Sequence, residues 1–264
     1  MSLTVTILGC GSSAGVPRVG QGWGACDPNE PRNRRRRCSV LVERVGEGGT
    51  TTLLVDATPD LREQLLGAEV DRLDAVILTH DHADHVHGID DLRPIVIHMR
   101  RRMPVYMDST TSRTMQERFG YCFAAPAGSD YPPILDERRI YPDQPVTVDG
   151  PGGPITAVPF SLEHGRTEAL GFRFEGLAYA PDVSRVPEAS MRWLSGLDTL
   201  VLDALRYTRH PTHFSVGEAL ALIAAVRPRR AVLTNMHTDV DYATIAAELP
   251  AGVVPAFDGM RLPA

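Results

Sequence analysis

The chain has 264 residues, enough to bury the core of one large domain. Its 43% hydrophobic and 23% charged residues lie near globular averages, which sets aside gross disorder and an integral membrane protein. A net charge of −6 argues against a protein that grips long nucleic acid by its phosphates, because such proteins carry basic surfaces.

Leu3, Val5 and Ile7 alternate with Thr4 and Thr6, so residues 3–8 read as a strand. The segment has neither the basic start nor the long apolar stretch of a signal peptide. No apolar run approaches the ~20 residues that span a bilayer. Cys10, Cys26, Cys38 and Cys122 form no CxxC pair, so free thiols and a cytoplasmic location are expected. Residues 9–37 are first Gly-rich and then basic, without periodicity, and loops of that length are usually functional. Strands are expected at 39–45 and 52–56. Pro59 near the start, apolar positions at helical spacing and Gly67 at the end predict a short helix.

Residues 75–79 form a buried strand that stops where a run of histidines begins. A helix is expected within 88–99, a strand at 105–107 and a helix at 110–118. The Pro- and Gly-rich stretch 124–154 reads as an insert over the main body, and Tyr131-Pro132-Pro133 within it can shape a pocket or a homodimer contact. Strands return at 155–160, 170–175, 177–180, 200–203 and 231–234. Ser215, with Glu218 three residues on, predicts a capping box for a helix reaching Val226, and 242–249 predicts a last short helix. No internal repeat or low-complexity linker divides the chain, so one α/β domain over residues 1–264 is expected, with sheets packed under covering helices.

The chemistry concentrates in His80-Asp81-His82-Ala83-Asp84-His85. Side chains two apart in an extended loop point the same way, so His80 and His82 can grip one ion while Asp84 and His85, after a turn, face another. Such clustered groups at the end of an apolar strand would repel or stay unpaired without a cation. An imidazole and carboxylate set without thiolate suits zinc, manganese or iron.

This run resembles the HxHxDH signature of the metallo-β-lactamase superfamily, and the resemblance extends along almost the whole chain. Residues 8–17 are similar to that family's first strand and Gly-rich turn, and Leu54-Val55-Asp56 to a strand ending in Asp. His164, Asp182 and His237 follow later strands in the family's order. The resemblance implies a four-layered αββα sandwich with two divalent ions, zinc or manganese, at one edge. It further implies His80, His82 and His164 on one ion, Asp84, His85 and His237 on the other, and Asp182 between them. Two ions ~3.5–4 Å apart can share a water and lower its pKa.

Within the superfamily the chain is most similar to the phosphodiesterase branch. That branch includes the cyclic phosphate phosphodiesterases of phosphonate breakdown, the tRNA 3′-processing endonucleases and, more distantly, the pyrroloquinoline quinone biosynthesis B proteins. The residues carrying this likeness are His87-Gly88-Ile89-Asp90-Asp91-Leu92-Arg93, the stretch from Cys26 to Ser39, and Thr212-His213-Phe214-Ser215. The likeness implies that His213 stabilises phosphoryl oxygens or protonates the leaving alkoxide, work that suits a histidine because its pKa lies near neutrality. Asp84 is the second catalytic candidate. Arg36 and Arg37, in the dense run Arg34 to Arg37, are candidate phosphate contacts, since guanidinium binds phosphate bidentately. Ser12 is a further candidate for lining the site. The phosphonate-pathway relatives hold a structural zinc in a Cys-rich cluster, whereas residues 20–26 here contain one thiol, Cys26, so no such zinc is expected. His98 and His210 match no ligand block and read as ordinary.

The expected activity is hydrolysis of a small cyclic phosphate or nucleotide-like ester by a metal-dependent phosphodiesterase, with no membrane and no long nucleic acid as partner. The alternatives are a tRNA-processing endonuclease, for which no basic extension is found, a thioester or lactam hydrolase, and a non-catalytic small-ligand binder like the quinone-biosynthesis proteins.

Overall fold

The computed structural model describes residues 2–264. Two seven-stranded mixed sheets stack face to face. The first contains β1 (Ser2–Gly9), β2 (Ser39–Gly46), β3 (Gly49–Val55), β4 (Ala75–Ile77), β5 (Met103–Met107), β6 (Leu135–Arg139) and β14 (Arg261–Pro263), with β14 beside β1 and β6 at the far edge. The second runs β13 (Val253–Pro255), β12 (Arg230–Thr234), β11 (Thr199–Asp203), β10 (Leu177–Ala180), β9 (Thr167–Phe174), β8 (Ile155–His164) and β7 (Val146–Val148).

Strand alternation builds the layers. Val40, Val42, Leu53 and Val55 point into the large core shared by the two sheets, where they join Phe160, Phe172 and Phe174. Their neighbours Leu41 and Leu54 point the opposite way, into a second core. There they meet Leu61 and Leu65 of α1 (Leu61–Gly67), Val96 of α3 (Arg93–Met99) and Met115 of α4 (Ser109–Phe123). α5 (Val216–Val226) and α6 (Tyr242–Glu248) add Val216, Ala219, Ile223 and Ile245 to the large core. The result is the expected αββα sandwich. The capping box predicted for α5 is formed, with Ser215 Oγ accepting from Glu218 N and Glu218 Oε2 accepting from Ser215 N at 3.0 Å.

One expectation is corrected. Residues 124–154 are not an insert over the body: they carry β6 and β7, which close one edge of each sheet, and so form the crossover between them. The sequence hides this because both strands are short and lie among prolines and glycines.

The long loop 9–37 is pinned rather than loose. Arg35 is almost fully buried and donates to Asn33 Oδ1 (3.1 Å) and to the His237 carbonyl (3.3 Å). Asn33 in turn donates to Asp241 Oδ2 at 2.7 Å. The buried Cys26 thiol packs against the carbonyls of Thr238 and Val240. Among the described residues no helix is long and apolar enough to cross a membrane.

Candidate metal centre

Parallel pairing sets the site. β3 and β4, and β10, β11 and β12, run parallel within their sheets, so their carboxyl ends share an edge where side chains can converge. Asp56 follows β3, Asp182 follows β10, Asp203 ends β11 and Asn235 follows β12. His80 lies just past β4, and His164 is the last residue of β8. The short helix α2 (Ala83–Val86) then carries Asp84 and His85. Gly88 is required next, because its backbone passes so close to α1 that a Cβ would lie 1.8 Å from the Thr58 carbonyl oxygen.

His80, His82, His164 and Asp182 each offer one ligand atom, and the four atoms lie within 4.8 Å of one another. His164 Nε2 is 3.2 Å from His82 Nδ1 and 3.7 Å from Asp182 Oδ2, and His80 Nε2 is 3.9 Å from the same carboxylate oxygen. His164 is oriented by its Nδ1, which donates to the Thr212 carbonyl at 2.7 Å, leaving Nε2 for the cluster. His80 Nδ1 lies 3.0 Å from Thr79 Oγ1, while its Nε2 is buried with no hydrogen-bond partner. Burial, and then the charge of His85, push His80 far down, so its imidazole is neutral. A buried, unpartnered nitrogen beside two more imidazoles and a buried carboxylate suits a divalent cation of the zinc or manganese kind.

A second group faces the other carboxylate oxygen. His85 Nε2 is 3.3 Å from Asp182 Oδ1 and 3.5 Å from Asp84 Oδ2. Its Nδ1 is 2.7 Å from Asp56 Oδ2, and Asp56 also accepts from Thr79 N at 2.8 Å. Burial opposes a proton on His85, but Asp182, Asp56 and Asp84 together outweigh it and raise this histidine well above its ordinary range.

His213 stands beside the cluster, its ring 4.6 Å from that of His164. Its Nδ1 is 2.7 Å from Asp203 Oδ2, so Nε2 is the nitrogen left for chemistry. Burial lowers its affinity for a proton, yet the hydrogen bond and charge of Asp203 prevail and raise it to about 8.

Three expected participants make other contacts. His237 lies outside the group of four, as Asp84 and His85 also do, and its Nδ1 is 3.1 Å from Asp239 Oδ1 and 3.2 Å from Thr238 Oγ1. Asn235, two residues earlier, is the member of that segment that reaches Asp182, with Nδ2 3.1 Å from Oδ1. Arg36 and Arg37 are engaged away from the site. Arg36 pairs with Asp258 (3.1 Å) and donates to the Glu63 carbonyl, and Arg37 pairs with Asp60 (3.2 Å). They line a cleft with Gly15, Asp60 and Glu63 that contains none of the site histidines. The guanidiniums whose charge reaches His237 are Arg18 and Arg206: burial depresses that imidazole first, and these two cations add to it. Ser12 is buried, its amide donating to the Met236 carbonyl and its hydroxyl unpartnered.

Asp56, Asp203 and Asn235 escaped the sequence reading as site residues, although each closes or follows a strand as the recognised ligands do. His210 was read as ordinary, but its ring lies 5.2 Å from that of His213. His98 lines a surface cleft beside α3.

Residues 51–236 match the family model of the beta-lactamase superfamily domain. The chain belongs to that superfamily. It is 32% identical over 260 residues to an octanoyltransferase of Porphyromonas gingivalis, covering 97% of this chain and 50% of that protein, so the chain spans about half that relative's length. It is 30% identical over 240 residues to the coenzyme PQQ synthesis protein B of a Methylobacterium species, covering 76% and 72% of the two chains. Among solved structures, a diphosphatase from the PhnP family superposes with a TM-score of 0.89 at 34% identity, covering 100% of this chain and 98% of the other. The family match and the His/Asp cluster, whose ligand atoms could hold a metal ion, give the chain the fold and donor set of a metal-dependent hydrolase.

Proposed function

We propose that this hydrolase is a phosphodiesterase that cleaves a small cyclic phosphate or nucleotide-like ester. The observation that carries the reading is the Asp203–His213 pair set against the His80, His82, His164 and Asp182 cluster. Zinc or manganese held by that cluster would supply Lewis acidity toward a phosphoryl oxygen. His213, protonated near neutrality, donates from Nε2 to the leaving alkoxide and faces the charge that develops on the phosphoryl group. Asp203 keeps the proton on Nδ1 and so fixes which nitrogen works. Asp84, half-buried beside His85, accepts the proton of the attacking water.

The likeness to a diphosphatase supports phosphoric ester or anhydride chemistry over lactam or thioester cleavage. A net charge of −6 disfavours a large RNA substrate. The octanoyltransferase relative lends no acyl-transfer reading, since the match covers only half of it. A substrate panel tests the proposal: bis(p-nitrophenyl) phosphate, nitrocefin and a glutathione thioester are offered to zinc- or manganese-loaded protein. Turnover of the diester alone is expected, and turnover of either other substrate with none of the diester would overturn it.

A further inference from the structure

Asp182 divides the site into two unequal halves. Its Oδ2 faces His80 (3.9 Å) and His164 (3.7 Å), with His82 completing that half through its 3.2 Å approach to His164. Its Oδ1 faces His85 (3.3 Å) and the Asn235 amide (3.1 Å), and Asp84 lies beyond at 3.5 Å from the same imidazole. One half thus offers three imidazoles and a carboxylate. The other offers one imidazole, two carboxylates and a neutral amide.

The backbone fixes this asymmetry. Asn235 takes φ 61, a left-handed conformation that Asn tolerates better than most residues. The turn directs its amide back to the end of β10, where Nδ2 lies 3.1 Å from the Pro181 carbonyl and 3.1 Å from Asp182 Oδ1. That N–H occupies a lone pair of the very oxygen that this half would use. His237, the imidazole nearest in sequence, turns its Nδ1 to Asp239 and Thr238.

We infer that the two halves differ in metal affinity. His80, His82, His164 and Asp182 form a tight site, while Asp84, His85, Asp182 and Asn235 form a weak one that tolerates oxygen-preferring ions such as manganese better than zinc. Asn235 sets the difference, since an imidazole there would replace a competing hydrogen-bond donor with a strong ligand. The inference rests on the proposed metal-dependent reading of this cluster.

The test is zinc titration of the full chain after chelator treatment, followed by calorimetry and by metal analysis after gel filtration. The chain should retain one equivalent, with a second binding roughly 100-fold more weakly, a gap within the range that changes around a metal site produce. Asn235→His should raise retained zinc toward two equivalents, with circular dichroism confirming an unchanged fold. Asp84→Asn should abolish the weak step and leave the tight one, which keeps the test decisive if Asn235→His fails to fold. Two equal sites in the native chain would overturn the inference alone. No zinc binding at all would overturn the metal reading beneath it.

Discussion

Asp56 and His85 meet through a 2.7 Å contact between Oδ2 and Nδ1, with both side chains closed to solvent. This pair lies behind the site and points His85 Nε2 at Asp84 and Asp182. Asp56 also binds the amide and hydroxyl of Thr79, immediately before His80, so one carboxylate orients both ends of the histidine run. Such outer carboxylates usually change metal affinity about 10–100-fold, so Asp56→Ala should weaken metal binding by that order in a chelator competition. It should also lower Tm, because each buried donor left unpaired costs about 1–3 kcal/mol.

His213→Ala should lower kcat on a diester by about 10²-fold, the usual scale of general acid–base catalysis, with the metal content unchanged. Loss of metal in that variant would make His213 a ligand instead.

The Asp203 carboxylate predicts a shift in the pH profile. His213 must be protonated to act as an acid, and Asp203 raises it to about 8, so kcat should fall as pH rises through about 8. Asp203→Asn removes the raising charge, and the alkaline limb should move to lower pH. A limb that stays in place would assign it to another group.

Asp241 predicts an acid sensitivity remote from the chemistry. It caps α6 through the Thr244 amide (2.9 Å) and holds the 26–33 loop through Asn33 (2.7 Å) and the Asp27 amide (3.1 Å). Burial works to raise this carboxyl, but these donors outweigh it and hold the pKa well below the ordinary carboxylate range. A depressed carboxyl stabilises the fold above its unfolded pKa, about 4, and loses that contribution as pH falls below it. Asp241→Ala should cost about 1–2 kcal/mol at neutral pH in urea unfolding, and the gap to the native chain should narrow on acidification.

Gly88→Ala should be poorly tolerated, since its Cβ would lie 1.8 Å from the Thr58 carbonyl oxygen. Forcing α1 and α2 apart should cost about 1–3 kcal/mol, read as a lowered Tm.

What the sequence made legible was local. His80, His82, Asp84 and His85 lie within six residues, and the αββα layers follow from strand alternation and the capping residues of α5. What it concealed depends on long-range partners or on single backbone angles. The run Arg34 to Arg37 looked like a phosphate grip because Asp258, which neutralises Arg36, is 222 positions away. His237 and Asn235 stand two residues apart, and the left-handed turn at Asn235 decides which of them reaches Asp182. Asp203 lies ten positions before His213, yet only the sheet edge reveals that the two touch.

The most direct test of metal-dependent hydrolysis at this cluster is metal content measured by plasma mass spectrometry alongside diester turnover. It compares the native chain, purified without chelator, with its His82→Ala and Asp182→Ala variants. Tightly held zinc or manganese together with turnover in the native chain, and loss of both in each variant, is the predicted result. Full turnover by a variant that has lost its metal would contradict it.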